Sequence, residues 1–222
     1  MKATVVALPG FLGRGSDWAK VRAASQAGLR WICPDPFAPG AEPVRPPAVE
    51  GPCWLAGYSY GARLALRWLQ AAPEKWQGAL LLSVNPGNFQ SEEERVARRT
   101  SDTDWAAAFR TERWAVVTER WNSQAVFQHD AAPLREERDF DRRKLAAVLV
   151  EDSVAGQFTD PLRLPTHLVW MAGARDGKFV RLQNQMRDAG FPGTFPVVGE
   201  AGHRLLLEAP EAVAGALDDL VA

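Results

Sequence analysis

The sequence predicts an α/β fold in which a mostly parallel sheet is flanked by helices. Short apolar runs alternate with helical patterns along much of the chain. The runs are continuously apolar, which is typical of strands covered on both faces. Several of them lead into glycine-bearing loops that open helices. The predicted strands cover residues 3–8, 29–33, 52–56, 78–84, 166–173 and 193–198.

The central feature is the pentapeptide Gly57-Tyr58-Ser59-Tyr60-Gly61, which joins an apolar run to a helical pattern. A Gly-x-Ser-x-Gly sequence between a strand and a helix is typical of the nucleophile elbow of the α/β-hydrolase fold. Because the backbone approaches closely on both sides of the serine, side chains at positions 57 and 61 would collide there. The alternative is an ordinary glycine-rich turn with an incidental serine.

The composition indicates a single globular domain over residues 1–222. A net charge of −1 lacks the basic excess that nucleic-acid binders usually carry. The N-terminal apolar run is too short for a signal peptide, and no run approaches bilayer length. Cys33 and Cys53 have no metal-like spacing with histidine, which favours free thiols. We therefore expect a cytoplasmic protein with no metal, no nucleic-acid partner and no membrane partner.

Between about residues 88 and 158 long polar helical patterns replace the alternation of strands and helices. Ser91 and Glu94 have the spacing of a capping box, which predicts a helix through about Arg99. In α/β-hydrolases a helical insertion at this place forms the lid over the active site, where it controls substrate choice and water entry. We therefore predict an α/β-hydrolase domain with a helical lid insertion over about 88–158.

The residues of a catalytic triad occur in the chain order expected for this fold. A serine hydroxyl needs a histidine to take its proton and an acid to fix the histidine's tautomer. Ser59, Asp176 and His203 follow three predicted strands in the order serine, aspartate, histidine. His129 falls in the lid and His167 precedes the aspartate, so both are interpreted as structural.

The acid and the oxyanion hole of the predicted catalytic site each have an alternative interpretation. The alternative for Asp176 is a turn-forming aspartate before a glycine, and Asp160 is a weaker competitor for the role of the acid. The main-chain N–H groups of Phe11 and Tyr60 are predicted to face the developing oxyanion. For Phe11 the alternative is a plain connection between strand and helix.

Several motifs resemble the family of 2-succinyl-6-hydroxy-2,4-cyclohexadiene-1-carboxylate synthases of menaquinone biosynthesis. The resemblance covers nearly the whole chain, and its lid motifs are more specific than its elbow and triad. Tyr60 and Ala62 depart from the commoner Met/Leu and Gly of the family elbow. The motifs are Leu8-Pro9-Gly10-Phe11-Leu12-Gly13, Asp17-Trp18, the elbow through Arg63, residues 85–98, Trp105-Ala106, residues 121–127 and residues 173–179.

The resemblance implies a lyase that removes pyruvate by 2,5-elimination from a cyclohexene bearing succinyl, carboxylate and enolpyruvyl groups. It implies that the serine, assisted by histidine, starts proton abstraction and that the oxyanion hole holds enolate-like charge. Neither a metal nor an organic cofactor is implied. Whether Ser59 acts as a base or as a covalent nucleophile stays open, as do the oligomeric state and the extent of lid motion.

The resemblance also places Arg98, Trp121 and Tyr58 in the substrate pocket. Guanidinium groups bind carboxylates through two parallel hydrogen bonds, which suits a substrate rich in carboxylates. The alternative for Arg98 is an ion pair with Glu94 on a solvated helix face. Lys178 is a further candidate contact, with an exposed lysine after a turn as the equal alternative. A third lid arginine of the family corresponds to Arg138 in our interpretation, with Arg135, Arg142 and Arg143 as the other candidates.

Two other functions remain as alternatives. A serine esterase or thioesterase of the same fold would use Ser59 as a covalent nucleophile, and only the lid separates it from the lyase. A non-catalytic binding protein of this fold is disfavoured, because it would not need serine, aspartate and histidine together.

Overall fold

A computed structural model of the chain describes residues 2–88, 90–128 and 130–222. Within these residues the six strands, named β1–β6 in chain order, are Thr4–Leu8, Arg30–Ile32, Cys53–Tyr58, Gly78–Leu82, Leu168–Gly173 and Val197–Val198. The α-helices in the same residues, named α1–α8, are Ala19–Ala24, Tyr60–Ala71, Glu92–Thr111, Trp114–Asn122, Arg142–Glu151, Gly177–Asp188, Leu205–Glu208 and Pro210–Val221. All strand pairs are parallel, in the order β2-β1-β3-β4-β5-β6.

The sheet has an apolar core on each face. Side chains of β1 alternate between the two cores, since successive residues of a strand point to opposite faces. Val6 and Leu8 pack with residues of α2 and α6, whereas Val5 and Ala7 pack with residues of α1, α7 and α8. This three-layer arrangement confirms the predicted α/β class with helices on both sides of a parallel sheet.

The predicted insertion lies between β4 and β5 and contains α3, α4 and α5. As predicted, Ser91 caps α3, and the Glu94 side chain accepts a hydrogen bond from the Ser91 N–H at 2.8 Å. The helix continues to Thr111 rather than ending near Arg99. It does so because its second half buries apolar side chains, including Phe109, in a lid core shared with α4 and α5.

The proline-rich segment 34–52 connects β2 to β3 without a regular helix or strand among its residues. Phe37 is fully buried in the lid core. The Asp141 N–H donates to the Phe37 carbonyl at 2.6 Å, and the Lys144 ammonium donates to the Ala38 carbonyl at 3.3 Å. This segment therefore anchors the start of α5.

Candidate active site

Ser59 lies in the tight turn between β3 and α2, with a φ of +52°. A positive φ is unfavourable for serine, so the surrounding backbone must hold this conformation. A Cβ atom on Gly61 would lie 2.3 Å from the Leu8 carbonyl oxygen, and one on Gly57 would lie 2.5 Å from the Ala62 Cα. The two glycines of the motif are thus required by close backbone packing.

The structure brings Ser59, His203 and Asp176 into one hydrogen-bonded chain. His203 Nδ1 lies 2.6 Å from Asp176 Oδ2, and His203 Nε2 lies 3.2 Å from Ser59 Oγ. Because a carboxylate can only accept, Nδ1 carries the proton and Nε2 accepts from the serine hydroxyl. This is the tautomer that a general base acting on Ser59 requires.

Local structure fixes both partners of the serine. Asp176 follows β5 and also caps α6, since its Oδ1 accepts from the Phe179 N–H at 3.4 Å. The turn-forming alternative for Asp176 therefore holds together with its contact to His203. Ser83, which follows β4, donates to the His203 carbonyl at 3.1 Å.

The competing residues lie elsewhere or outside the described part. Asp160 caps a 3₁₀ turn through the Leu162 N–H at 3.0 Å. The His167 carbonyl accepts from the Ala79 N–H, at the start of β4 and so at the opposite edge of the sheet. His129, and Phe89 of the lid motif, lie outside the described residues.

Aromatic rings surround the imidazole. The ring centroids of Tyr58, Phe127 and Phe179 lie 5.5, 5.5 and 4.6 Å from that of His203. Burial raises the pKa of the Tyr58 phenol well above its ordinary value, so this hydroxyl stays neutral. Because the rings exclude water, the interactions of His203 with its two partners are stronger than they would be in solvent.

Ser59 opens into a cavity, which we call the serine cavity. Its lining includes three cationic side chains, those of Arg63, Arg98 and Lys178. Burial, followed by the charges of Arg98 and Arg67, lowers the pKa of Arg63 to about 10. Burial also lowers the pKa of Lys178. Crowded, partly desolvated cations of this kind favour an anionic occupant.

Arg63 is the contact that sequence reasoning missed. It lies four residues after Ser59 on α2, so helical periodicity puts it on the same face as the elbow. Its NH1 group donates to the Asp152 carbonyl at 2.5 Å, which ties α2 to the end of α5. That spacing was the available signal, and it could have identified Arg63.

A buried acid orients Arg98. Arg98 Nε donates to both carboxylate oxygens of Asp102, at 2.9 and 2.8 Å. Asp102 is 3% exposed, and Ser153 donates to its Oδ2 at 2.7 Å. The alternative ion pair with Glu94 is not formed, because the Glu94 carboxylate completes the cap with Ser91. Since Asp102 engages Nε, the terminal nitrogens of Arg98 are available to the cavity.

Phe11 and Trp121 separate the serine cavity from a second, smaller cavity. Their ring centroids are 4.6 Å apart, and both residues line both spaces. Tyr58, Arg135 and Arg204 line the second cavity. The predicted substrate contacts Arg98 and Trp121 therefore lie at the serine cavity, whereas Tyr58 lies at the second.

The two predicted oxyanion donors, Phe11 and Tyr60, both line the serine cavity. Tyr60 is the first residue of α2, where a main-chain N–H has no acceptor within the helix. Nor does the described part of the chain supply an acceptor for the Phe11 N–H. The Tyr60 phenol donates to Asp152 Oδ2 at 2.7 Å, which fixes the residue at the mouth of the elbow.

The prediction that Arg138 faces the substrate is wrong. Its side chain is 80% exposed and pairs with a neighbouring glutamate, because the 3₁₀ turn that carries it faces solvent. Arg135 instead lines the second cavity, where it forms two hydrogen bonds to Asp17, at 2.9 and 2.7 Å. Arg142 donates to main-chain carbonyls of the lid, and Arg143 is exposed.

Known proteins resemble this chain both in sequence and in fold. The model of the α/β-hydrolase family matches residues 3–216. The chain belongs to the α/β-hydrolase family. Among solved structures of this family fold, MenH from S. aureus superposes with a TM-score of 0.80 at 19% identity, covering 99% of this chain and 95% of that one. A thermophilic esterase from Thermogutta terrifontis gives 0.72 at 18%, covering 100% and 90%. At these identities the likeness shows the fold.

Curated relatives within this α/β-hydrolase family are closer in sequence. The 2-succinyl-6-hydroxy-2,4-cyclohexadiene-1-carboxylate synthase of Serratia proteamaculans (strain 568) is 35% identical over 173 residues, which are 74% of this chain and 66% of that protein. The alignment thus spans slightly less than two thirds of the relative. The synthase of Klebsiella pneumoniae (strain 342) is 32% identical, over 76% of this chain and 68% of that protein. The predicted resemblance to this synthase family is confirmed.

Two kinds of feature are missing from the residues that the structure describes. None of the helices there combines the length and the apolar character that crossing a bilayer requires. The same residues contain no group of three or more His, Cys, Asp or Glu side chains arranged to hold a metal ion.

Proposed function

We propose that this α/β-hydrolase is a carbon–oxygen lyase that eliminates pyruvate from 2-succinyl-5-enolpyruvyl-6-hydroxy-3-cyclohexene-1-carboxylate. The product would be 2-succinyl-6-hydroxy-2,4-cyclohexadiene-1-carboxylate, the compound in the names of the curated relatives. One observation carries the proposal: the serine hydroxyl held by His203 opens into a cavity lined by Arg63, Arg98 and Lys178. The substrate bears carboxylates on its succinyl, ring and enolpyruvyl groups, which complement these cations.

The chemistry follows from where the substrate is acidic. The hydrogen on the ring carbon that bears the succinyl group is both α to a ketone and allylic. His203 takes the hydroxyl proton of Ser59, and the Ser59 oxygen removes this hydrogen as a proton. The electron pair forms a new ring double bond, the existing one shifts, and the carbon–oxygen bond to the enolpyruvyl group breaks. The released enolpyruvate takes up a proton and becomes pyruvate.

The remaining residues have supporting roles in this proposal. The N–H groups of Phe11 and Tyr60 stabilise the enolate oxygen of the succinyl ketone, where negative charge develops. Arg98 and Arg63 hold carboxylates, and Trp121 covers the ring. The elimination needs neither a metal nor an organic cofactor, because the triad supplies the base and the substrate carries its own leaving group. A cytoplasmic location without nucleic-acid partners stays a prediction from composition.

Pyruvate release tests the proposal directly. Purified chain is supplied with the enolpyruvyl substrate, and pyruvate is followed through coupled reduction by lactate dehydrogenase. We expect stoichiometric pyruvate and the ultraviolet absorbance of a conjugated cyclohexadiene, with both signals lost in Ser59→Ala. Diene formation without pyruvate, or equal rates in the two proteins, would contradict the assignment.

A serine esterase or thioesterase is the second candidate, and one observation favours it. The Ser59–His203 contact of 3.2 Å and the two unbonded N–H groups suit attack on an ester carbonyl as well as proton abstraction. Intact-mass analysis during turnover separates the two chemistries, since only the esterase forms an acyl-Ser59 adduct. An adduct with small acyl esters, together with no pyruvate release, would establish the esterase.

A further inference from the structure

Two carboxyl groups outside the serine cavity hold the loop that carries His203. Asp130 belongs to the lid segment after α4, and Glu208 ends α7. Glu208 Oε2 accepts from the Gly202 N–H at 2.6 Å, and Asp130 Oδ2 accepts from the Arg204 N–H at 3.2 Å. The two acids thus bind the main-chain N–H groups on either side of the imidazole residue.

The same two carboxyl groups converge beside Gly202, where a Cβ atom would lie 2.0 Å from Asp130 Oδ1 and 3.4 Å from Glu208 Oε2. Two acids held this close together favour a proton between them. The oxygens left over, Asp130 Oδ1 and Glu208 Oε1, are buried and meet no donor group in the described part of the chain. Burial, followed by the hydrogen bond to Glu208 and its charge, raises the pKa of Asp130 to about 7. One proton between the two acids lets one carboxyl group donate to the other and removes their repulsion.

We propose that Asp130 and Glu208 share one proton and act as positioning residues, which fix the His203 loop to the lid. Arg204 strengthens the same junction from the side of the His203 loop. Its guanidinium stacks 4.1 Å above the Phe127 ring and donates to the Ala131 carbonyl at 3.0 Å. Because the lid residue Asp130 holds one of the two N–H groups that flank the base, an open lid would leave His203 less well placed for Ser59. The kinetic part of this inference rests on the proposed function.

The positive charges near Asp130 do not bring its pKa back to the ordinary carboxyl value. Arg204 opposes the raised pKa, but burial and Glu208 outweigh it. Across a small neighbouring cavity, Arg175 pairs with Glu200. The titratable and charged groups that face Asp130 from the described elements are Glu208 on α7, Tyr58 on β3, Arg204 beside the base, and Arg175, Asp176 and Lys178 across that cavity.

The pair makes the junction dependent on pH. The folded chain raises the pKa of Asp130 from 3.8 to about 7, so folding favours the protonated form. The stabilisation that the shared proton gives is therefore complete below the ordinary carboxyl pKa and is lost as the pH rises through about 7. Above that pH two like charges repel, the junction loosens, and turnover falls.

Asparagine distinguishes a shared proton from simple packing. In Asp130→Asn the amide oxygen accepts from the Arg204 N–H, while the amide nitrogen donates permanently to Glu208. We expect Asp130→Ala to lower kcat on the order of 10- to 100-fold at about pH 6, through misplacement of the base. Asp130→Asn should recover most of that loss and should lack the alkaline decline. Glu211→Gln, an exposed change on α8, is the matched control.

The experiment measures pyruvate release and thermal unfolding of all four proteins from about pH 5.5 to about pH 9. The wild type should lose melting temperature relative to Asp130→Asn as the pH rises through about 7. Parallel melting profiles for these two proteins, or equal impairment of the alanine and asparagine variants, would overturn the proposal. If the alanine variant does not fold, Glu208→Gln takes its place, with the same pH-independent behaviour expected as for asparagine. If the wild type releases no pyruvate, the proposed function fails while the melting profiles still decide whether the proton is shared.

Discussion

The carboxyl edge of the sheet and the lid contribute to the candidate site in different ways. The sheet edge presents Ser59, Asp176 and His203 from turns that directly follow β3, β5 and β6. The lid presents Arg98 from the middle of α3, a long helix with polar residues around most of its surface. The residues proposed to move the proton thus lie on the sheet edge, whereas Arg98, one of the three cations of the serine cavity, lies on the insertion.

The two regions also hold their side chains differently. In the sheet-edge turns the backbone itself sets the direction in which the side chains point. The positive φ of Ser59 and the close contacts of Gly61 show this. In the lid, the direction of a side chain depends on its hydrogen-bonded partner, as for Arg98 with Asp102. We therefore expect changes at the edge to affect catalysis or folding severely, and changes in the lid to be graded.

The largest effect is expected from Ser59→Ala. Removing the hydroxyl leaves His203 without a group to activate, so kcat should fall by roughly 10⁴-fold or more. The melting temperature should change little, because the side chain's one hydrogen bond spans 3.2 Å and alanine keeps the strained backbone. Coupled pyruvate release and thermal unfolding measure the two quantities. A residual rate within tenfold of wild type would show that the reaction does not depend on Ser59 at the sheet edge.

The hydrogen-bonded arrangement of Ser59, His203 and Asp176 could be predicted because short motifs specify it. The Gly-x-Ser-x-Gly motif between a strand and a helix indicates the elbow. The chain has only three histidines, and their order relative to Ser59 and Asp176 indicates the base. Ser59, Asp176 and His203 each follow a strand, so predicting the strands also placed their side chains at one edge of the sheet. The same logic gave the α/β class and the position of the insertion.

The lid contacts could not be predicted as well, because a helical pattern does not say which way an isolated arginine faces. Arg138 was chosen although its turn faces solvent, and Arg135 points into the second cavity because Asp17 holds it there. That ion pair joins residues far apart in sequence. The Asp130–Glu208 contact likewise depends on the closure of the lid onto α7, which no local signal reports.

A second test compares a glycine at the sheet edge, Gly61 in α2, with a glycine away from it, Gly215 in α8. In Gly61→Ala the new methyl group meets the Leu8 carbonyl oxygen at 2.3 Å, and backbone must move. We expect a loss of about 3 kcal/mol in the free energy of unfolding, in the range of severe overpacking. In Gly215→Ala on α8 nothing lies within 4 Å, so we expect a gain of about 0.5–1 kcal/mol from helix propensity.

Urea unfolding of both variants measures the difference. The contrast would fail if Gly61→Ala were as stable as the wild type, since the elbow would then tolerate the side chain that its motif excludes. Equal destabilisation at both sites would show instead that the loss reflects glycine replacement in general.

In the lid, two arginines provide a matched pair. Arg98→Ala removes a cavity-lining cation whose orientation is fixed, and we expect kcat/KM to fall on the order of 100-fold, as for a lost charge-assisted contact of about 2–3 kcal/mol. Arg138→Ala removes an 80% exposed cation and should leave kcat/KM within about twofold. Steady-state pyruvate release gives both values. The reverse ranking of the two variants would restore the sequence-based choice of Arg138.

The smallest effect is expected where the lid acts through a second residue. Asp102→Asn keeps the shape beside Arg98 but replaces a charge-assisted hydrogen bond with a neutral one. Because Arg98 stays in place with weaker orientation, we expect KM to rise by about three- to tenfold with kcat nearly unchanged, as for the loss of about 1 kcal/mol of uniform binding. Asp104→Asn, an exposed change on the same helix, is the control and should match the wild type. If kcat fell with KM unchanged, Arg98 would act in the transition state alone, and the lid would share the chemistry now assigned to the sheet edge.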